Sequence, residues 1–397
     1  MFRTAPLLLT LASLPATAAA QGSLNPFFQF GSGFASASGS LGDSVAIDRN
    51  GDFVAIGSSD GAFLYNVGNG SVVEISNPNF QFNGSVDIDN GRTVAGLAGA
   101  VGVFGPDGQL QDVIDRPVPS STFGNDVAID GDLVAIGDLG LDVNGEETAG
   151  AVFITDLTGA TGPTPIQLGA SLVDVGDLLG ISVDVSGQRI IGGAPNLGFQ
   201  DPVTDLPTAY VFDARGNTID LGAGLITQDN AFGWSVAISG DLAIVGAISF
   251  NESPSSPFSG PGAAFVFDLA NGGALVSRLS IDGLTRGDNL GFSVAIDDQT
   301  GRAVVGATSR NSPGMAYVFD AFTGDVLYEL NNPTPNVRDS FGDSVDIFGD
   351  LIVVGATGVD DFGDNAGTAF FFRIPEPGTA LLAMLTGCVV LATPRRR

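Results

Sequence analysis

The chain has 397 residues, 44% of them hydrophobic and 15% charged, with a formal net charge of −29 at pH 7. It contains no histidine and no lysine, which excludes a Ser-His-Asp triad, His-ligated zinc, Schiff-base chemistry and a phosphate-loop lysine. The single cysteine, Cys388, excludes an intramolecular disulfide, and the acidic charge disfavours nucleic acid and favours cationic partners.

Residues 1–20 have the composition of a secretory leader. Arg3 precedes an apolar run that ends at Leu14, and three alanines stand directly before Gln21. A basic start, a short apolar stretch and small residues at the end are typical of a cleaved signal peptide. We therefore expect an exported protein.

A short phrase recurs seven times between residues 41 and 356. Its fifth version, FGWSVAISGDLAIVGA, runs from Phe232 to Ala247. The shared valines are Val45, Val86, Val127, Val183, Val236, Val294 and Val345. Because an active site is normally assembled once, a phrase repeated at this period indicates a structural unit that packs against its own copies.

Each repeat divides into four short strands. In the fifth, the predicted strands are Ser235–Ile238, Leu242–Ala247, Ala263–Leu269 and Ala274–Leu279, separated by turns rich in glycine and aspartate. Seven units of four antiparallel strands predict an all-β, seven-bladed β-propeller. The last repeat lacks its outer strand, and we expect the segment Leu24–Phe30 to supply that strand and close the ring.

The repeats resemble the FG-GAP repeat family, whose blades are related to those of the integrin α-chain head. The likeness is carried by Phe123-Gly124, Phe232-Gly233, Phe341-Gly342 and by Gly193-Ala194-Pro195. It extends over roughly residues 30 to 374, and we assign residues 21–374 to the propeller domain. The resemblance implies ligand binding or adhesion at a surface. It also implies calcium in aspartate-rich loops, although most turns between the first two strands here are too short to surround an ion, and only Asp48, Asn50 and Asp52 keep part of the pattern.

Two acidic loops between the second and third strands are candidates for weak calcium binding. One contains Asp142, Asn144 and Glu146, and the other contains Asp360, Asp361 and Asp364. The alternative is that these residues simply form turns, where aspartate, asparagine and glycine are common.

The position before the repeated Ser-Val pair varies most around the ring. It is occupied by Asp43, Gly84, Asn125, Ile181, Trp234, Phe292 and Asp343. If these side chains reach the mouth of the central channel, Trp234, Phe292 and Ile181 form an apolar wall facing Asp43 and Asp343, a combination suited to sugars or cationic groups. The alternative is that the aromatic rings pack between blades. Further along the same strand, Asp87, Asp184 and Asp346 replace alanine and either cap backbone donors or line a wet channel.

The C-terminal segment 375–397 resembles the PEP-CTERM sorting signal of Gram-negative bacteria. Pro375, Glu376 and Pro377 precede an apolar stretch, and the chain ends on Arg395, Arg396 and Arg397. The resemblance implies transient membrane insertion through the tail, processing by an exosortase-type enzyme, and delivery to the cell surface or extracellular matrix. The alternative is a retained single-span anchor.

Three functions are compatible with these features. The leading hypothesis is a monomeric, non-enzymatic surface propeller that binds extracellular polysaccharide or a protein partner and requires no certain cofactor. One alternative is a structural matrix component, and another is a glycosidase or lyase that uses a pair of carboxylates.

Overall fold

The computed structural model describes residues 22–31, 39–77, 79–159, 164–196, 206–213, 217–223, 225, 231–249, 260–308, 313–333, 335–360 and 366–375. Within these ranges the chain forms twenty-nine strands and no helix. The strands form seven sheets around one central channel: each sheet has four antiparallel strands, and one of them gains a fifth strand, Gly22–Leu24, that pairs in parallel. The predicted all-β, seven-bladed β-propeller is confirmed.

Each blade is numbered by its repeat, and its strands are numbered from the channel outward. Blade 1 comprises Val45–Ile47, Phe53–Ser58, Gly61–Asn66 and Val72–Ile75; blade 2 comprises Phe82–Asp89, Arg92–Leu97, Ala100–Phe104 and Leu110–Asp115. Blade 3 comprises Val127–Asp130, Leu133–Asp138, Ala151–Asp156 and Ile166–Leu168; blade 4 comprises Val183–Ser186, Arg189–Ala194, Thr208–Asp213 and Thr218–Asp220. Blade 5 comprises Phe232–Ser239, Leu242–Ala247, Ala263–Asp268 and Ala274–Leu279; blade 6 comprises Leu290–Asp297, Arg302–Ala307, Met315–Asp320 and Val326–Leu330. Blade 7 comprises Phe341–Phe348, Leu351–Ala356, Thr368–Arg373 and, from the start of the chain, Phe28–Phe30.

The second strand of each blade carries an unbroken apolar run because both of its faces are covered by neighbouring blades. In blade 5 all six residues of Leu242–Ala247 are buried. The hydrophobic clusters lie between adjacent blades: Ile191 and Val211 of blade 4 belong to the same cluster as Phe232 and Val236 of blade 5. A single repeat therefore cannot bury its own apolar surface.

The shared phrase is structural because its two glycines let neighbouring blades approach closely. In blade 5 a side chain on Gly246 would collide with the backbone oxygen of Gly291 in blade 6, and Gly291 has a positive φ of 88°. The equivalent contacts around the ring are Gly57–Gly84, Gly96–Gly124, Gly137–Gly180, Gly193–Gly233, Gly306–Gly342 and Gly355–Gly42. In blade 2 the contact is made by Gly84, one residue later than in the other blades, because Asn83 stands where they have glycine.

The N-terminal segment closes the ring, as predicted, but the strand it adds to blade 7 is Phe28–Phe30 and does not extend over all of Leu24–Phe30. Phe28–Phe30 pairs antiparallel with the third strand of blade 7, with Phe30 opposite Ala369. One feature was not predicted: Gly22–Leu24 leaves blade 7 and runs parallel to the outer strand of blade 6, with Leu24 opposite Leu330. The segment therefore ties the last two blades together.

The two faces of the propeller are distinguished by which ends of the first strands they carry. The mouth face carries the starts of the first strands, and the turn face carries the turns that follow them. The Ile374 N–H donates to the Asp350 carbonyl at 2.8 Å, which places the exit of the chain at Pro375 on the turn face. The described ranges contain no helix long and apolar enough to cross a membrane. The predicted leader 1–20 and tail residues 376–397 lie outside those ranges.

Candidate functional site

The central channel holds a cavity of about 680 Å³ that is lined by the first strands of all seven blades. All seven positions that precede the Ser-Val pair line this cavity: Asp43, Gly84, Asn125, Ile181, Trp234, Phe292 and Asp343. The structure therefore brings together the five residues proposed from the sequence as a binding site, at the mouth of the channel. We call Ile181, Trp234, Phe292, Asp343 and Asp43 the mouth cluster.

Trp234 and Phe292 form the aromatic part of the mouth cluster. Their ring centroids lie 5.7 Å apart with an interplanar angle of 46°, and both residues are half-buried. A tight turn precedes each of them, since Trp234 N–H donates to Ala231 at 3.2 Å and Phe292 N–H donates to Asn289 at 3.1 Å. These turns place the rings at the starts of the strands. The two rings pack on each other between blades, and both residues also line the cavity.

Asp343 and Asp43 form the acidic part, on the two blades that meet where the ring closes. The Thr357 hydroxyl donates to the Asp343 carboxylate, yet burial raises the pKa of Asp343 to about 6, with the nearby charge of Asp43 adding to the rise. Burial also raises the pKa of Asp43. The Asp43 carboxylate lies over Gly84, where any side chain would collide with it.

Below the mouth, three aspartates join neighbouring blades. One carboxylate oxygen of each accepts the N–H of the next residue in its own strand, and the other accepts an isoleucine N–H from the following blade. The contacts between blades are Asp87 with Ile129 at 2.6 Å, Asp184 with Ile238 at 2.7 Å and Asp346 with Ile47 at 2.6 Å. The inner edge of a first strand has no partner strand, so these carboxylates supply acceptors to donors that would otherwise face the channel unpaired.

Asp126 is a further carboxylate of the channel wall, two residues nearer the mouth, that the sequence analysis did not single out. It stands where most blades have the serine of the Ser-Val pair, and its carboxylate accepts the Ser85 hydroxyl at 3.0 Å and the Val183 N–H at 2.7 Å. An alignment of the seven phrases would have revealed it as the exception to serine. We call Asp87, Asp126, Asp184 and Asp346 the channel acids.

Burial raises the pKa of every channel acid because the channel wall removes most of the water around it. The pKa rises to about 6 for Asp126 and Asp184 and to about 7 for Asp346. For Asp87 the pKa lies well above the usual range, and the charge of Asp184 contributes to that rise. The backbone N–H donors oppose these shifts without cancelling them.

Arg49 crosses the channel at the turn face and was also missed. Its guanidinium donates to Asp130 of blade 3 at 2.8 Å and to the Val185 carbonyl of blade 4 at 2.6 Å. Its charge lowers the pKa of Asp184 and Asp346, against the larger effect of burial. Blade 1 thus contacts blades that are not its neighbours.

The candidate calcium residues of the first acidic loop make hydrogen bonds within that loop and to the segment that follows the outer strand of blade 3. The Asp142 carboxylate accepts the Thr148 N–H at 2.9 Å, and the Asn144 side chain donates to the Ala170 carbonyl at 2.7 Å. The backbone of Glu146 pairs with that of Val143. These contacts fit a stabilised turn and do not fit a set of oxygens converging on an ion.

The other candidate metal positions give no support to calcium. The Asp48 carboxylate accepts the N–H groups of Asn90 and Gly91 in blade 2, at 3.1 and 2.9 Å. Asp360 is described, whereas Asp361 and Asp364 lie outside the described residues. Across the part of the chain that the structure describes, no three His, Cys, Asp or Glu side chains are grouped to hold a metal ion.

Solved structures similar to this chain are propellers of low sequence identity. A chain in the crystal structure of the mitotic checkpoint complex is 12% identical with a TM-score of 0.58, over 94% of this chain and 99% of that chain. The β-propeller domain of Cps50 (Swd1) from Myceliophteria thermophila is 12% identical with a TM-score of 0.59, over 89% and 100%. Hsv2 from Kluyvelomyces marxianus is 11% identical with a TM-score of 0.51, over 80% and 89%. These similarities support the fold alone.

Comparison with known sequences matches only part of the chain. No curated protein matches the chain. The family model described as FG-GAP repeat matches residues 226–267 and 335–372, which contain most of the inner strands of blades 5 and 7. The chain therefore carries FG-GAP repeats within a seven-bladed β-propeller.

Proposed function

We propose that this protein is an exported, non-enzymatic binding propeller of the cell surface or extracellular matrix, and that its ligand site is the mouth cluster. The observation that carries the proposal is the half-buried pair of Trp234 and Phe292 in an open cavity beside Asp343 and Asp43. Aromatic surface with a few polar groups is the usual content of a small-ligand or sugar site. Extracellular polysaccharide is the proposed ligand, and a surface protein is the alternative.

Export and sorting are part of the proposal and rest on the two ends of the sequence. Pro375 is the last described residue, and Glu376, Pro377, Arg395, Arg396 and Arg397 lie outside the described ranges. The chain leaves the propeller on the turn face. A tail inserted in a membrane would therefore leave the mouth face pointing away from it, and the same would hold on a surface after processing by an exosortase-type enzyme.

Binding is favoured over catalysis because most carboxylates in the channel already hold the ring together. The channel acids accept backbone N–H groups or serine hydroxyls from their own and neighbouring blades. At the mouth, Asp43 accepts no hydrogen bond within the described residues and Asp343 accepts one from the Thr357 hydroxyl, so these two are the candidates for acid-base chemistry. A hydrolase would need these two to act as acid and base on opposite sides of one bond, and release of reducing sugar from the ligand would reveal that activity.

The test is retention of the full-length protein on the producing organism's extracellular polysaccharide. We expect retention to be lost in Trp234→Ala and kept in Phe322→Ala, whose ring is 54% exposed on the turn face and serves as the control. Loss in both variants, or in neither, would contradict a site at the mouth. Retention that needs Trp234 without release of reducing sugar supports binding over hydrolysis.

A further inference from the structure

The geometry of the mouth cluster points to an amino sugar as the ligand, and we infer that the site binds the charged amine of an aminated polysaccharide. In this arrangement the ammonium group lies against Asp43 and Asp343, and the apolar face of the sugar ring lies on Trp234. This inference rests on the proposed function and names the ligand class of the same site.

Among the described residues that line the cavity, none places a positive charge beside Asp43 and Asp343. Asp43 is exposed at the mouth, and its carboxylate has no hydrogen-bond donor within the described residues. Within the described residues, the Asp343 carboxylate accepts a hydrogen bond only from the Thr357 hydroxyl. Among the described residues that line the cavity, Arg49 is the only basic one, and it is paired with Asp130 and Val185 at the opposite end. Two neighbouring carboxylates, one half-buried and one exposed, without a cation beside them favour a ligand that brings one.

The side chains of the mouth cluster suit an organic cation better than a metal ion. Calcium takes about six to eight oxygen ligands, whereas the remaining side chains of the mouth cluster are Ile181, Trp234 and Phe292. Ammonium groups are attracted to aromatic faces and to carboxylates at the same time. The mixture of rings and acids therefore matches an amine attached to an apolar body.

The aromatic surface of the mouth cluster suits a sugar ring better than a lysine side chain. The centroids of Trp234 and Phe292 are 5.7 Å apart and their planes are inclined at 46°, so the apolar surface is two rings wide. The C–H face of a pyranose can cover such a surface, whereas the narrow stem of a lysine covers less of it. The net charge of −29 also attracts a polymer that carries repeated positive charges.

The experiment compares soluble oligomers of glucosamine and of N-acetylglucosamine of equal length, which differ in charge but share the sugar ring. Binding is measured by titration calorimetry with the full-length protein at pH 6 and at low salt. We expect the glucosamine oligomer to bind at least about tenfold more tightly, with an affinity that falls as salt is added. The double variant Asp43→Asn, Asp343→Asn should remove this preference. Asp107→Asn, which changes an exposed acid in a turn on the turn face, should keep it.

Each outcome decides the inference. If the two oligomers bind with equal affinity, the inference of an amino sugar is overturned. The proposed function still holds in that case, provided that retention on the native polysaccharide requires Trp234. An oligolysine peptide that binds more tightly than the glucosamine oligomer, and competes with it, also overturns the amino sugar and indicates a basic protein partner. If the protein is not retained on the native polysaccharide, or if its retention does not require Trp234, the proposed function itself is overturned. A glucosamine preference that disappears in the double aspartate variant, and persists in Asp107→Asn, supports the inference.

Discussion

The carboxylate of Asp346 accepts the backbone N–H of Ile47 at 2.6 Å, although 299 residues of chain separate them. Its other oxygen accepts the N–H of Ile347 at 2.7 Å in its own strand. The last blade is thus joined to the first at the innermost strands, where the outer strand supplied by Phe28–Phe30 does not reach. Two independent contacts therefore close the ring: the strand Phe28–Phe30 at the outer rim and the hydrogen bond between Asp346 and Ile47 at the channel.

The hydrogen bond between Asp346 and Ile47 predicts that Asp346→Ala destabilises the protein. The substitution leaves the Ile47 N–H without an acceptor, and we expect a loss of about 1–3 kcal/mol in the free energy of unfolding. Asp346→Asn keeps one acceptor and should cost less. Urea unfolding at pH 5 measures both. Asp112→Ala is the matched control, because its carboxylate accepts only the N–H of the next residue, Val113; an equal loss in the control would remove the role assigned to the contact with Ile47.

The channel acids predict that stability falls as the pH rises from about 4 to 8. The folded-state pKa of Asp346 is about 7 and that of Asp184 about 6, both above the unfolded value. A raised carboxyl pKa means that the folded state holds more protons in this window, so its contribution is present below pH 4 and is lost as the pH passes the folded pKa. The urea midpoint should therefore be higher at pH 5 than at pH 8.

General repulsion in an acidic protein would act in the same direction, so single variants separate the two causes. Asp184→Asn should flatten the pH dependence by up to about 1.4 kcal/mol per pH unit within its titration range, since one titrating proton is removed. The exposed Asp107→Asn changes the net charge equally and should leave the slope unchanged. Equal slopes in both variants would attribute the effect to net charge.

Arg49 predicts a stabilising interaction across the channel that strengthens with pH. Arg49→Met removes the bonds to Asp130 and Val185 and the positive charge beside Asp184 and Asp346. We expect a loss of about 1 kcal/mol at pH 8, and less at pH 5, where more of those carboxyls are protonated. Arg92→Met is the control, since Arg92 pairs with Asp132 at 2.6 Å on the surface and its side chain is similarly exposed, at 35% against 40%. A loss at pH 5 as large as at pH 8 would exclude the electrostatic explanation.

Repetition made most of the fold and the mouth cluster predictable from the sequence. Seven copies of one phrase fix the register of the first two strands, so Trp234 and Asp343 could be placed at equivalent points of the ring without any structure. Arg49 could not be placed, because its contacts with blades 3 and 4 depend on the width of the channel and on no repeated spacing. The pairing of Gly22–Leu24 with blade 6 was missed for a similar reason: three residues carry too little pattern to select a parallel partner at the far end of the chain.

The strand that the N-terminal segment adds at the rim predicts a larger contribution to stability from the buried Phe30 than from the exposed Phe27. The Phe30 ring is 2% exposed and packs against Phe63 and Tyr65 of blade 1, with centroids 5.8 and 6.0 Å away. Phe30→Ala should lower the free energy of unfolding by about 3–5 kcal/mol, the range for a large buried ring.

Phe27 provides the matched control for this substitution, because it lies three residues earlier in the same segment and is 54% exposed. Phe27→Ala should lose only the edge contact with Phe371 and the cation–π contact with Arg373, worth about 1 kcal/mol together. Urea unfolding measures both variants, and limited proteolysis of residues 22–31 reports whether the segment has left the rim. Similar losses in the two variants would mean that the segment adds strand pairing alone. A large loss confined to Phe30→Ala, with faster cleavage of the segment, would mean that its buried ring fastens the first blade to the last.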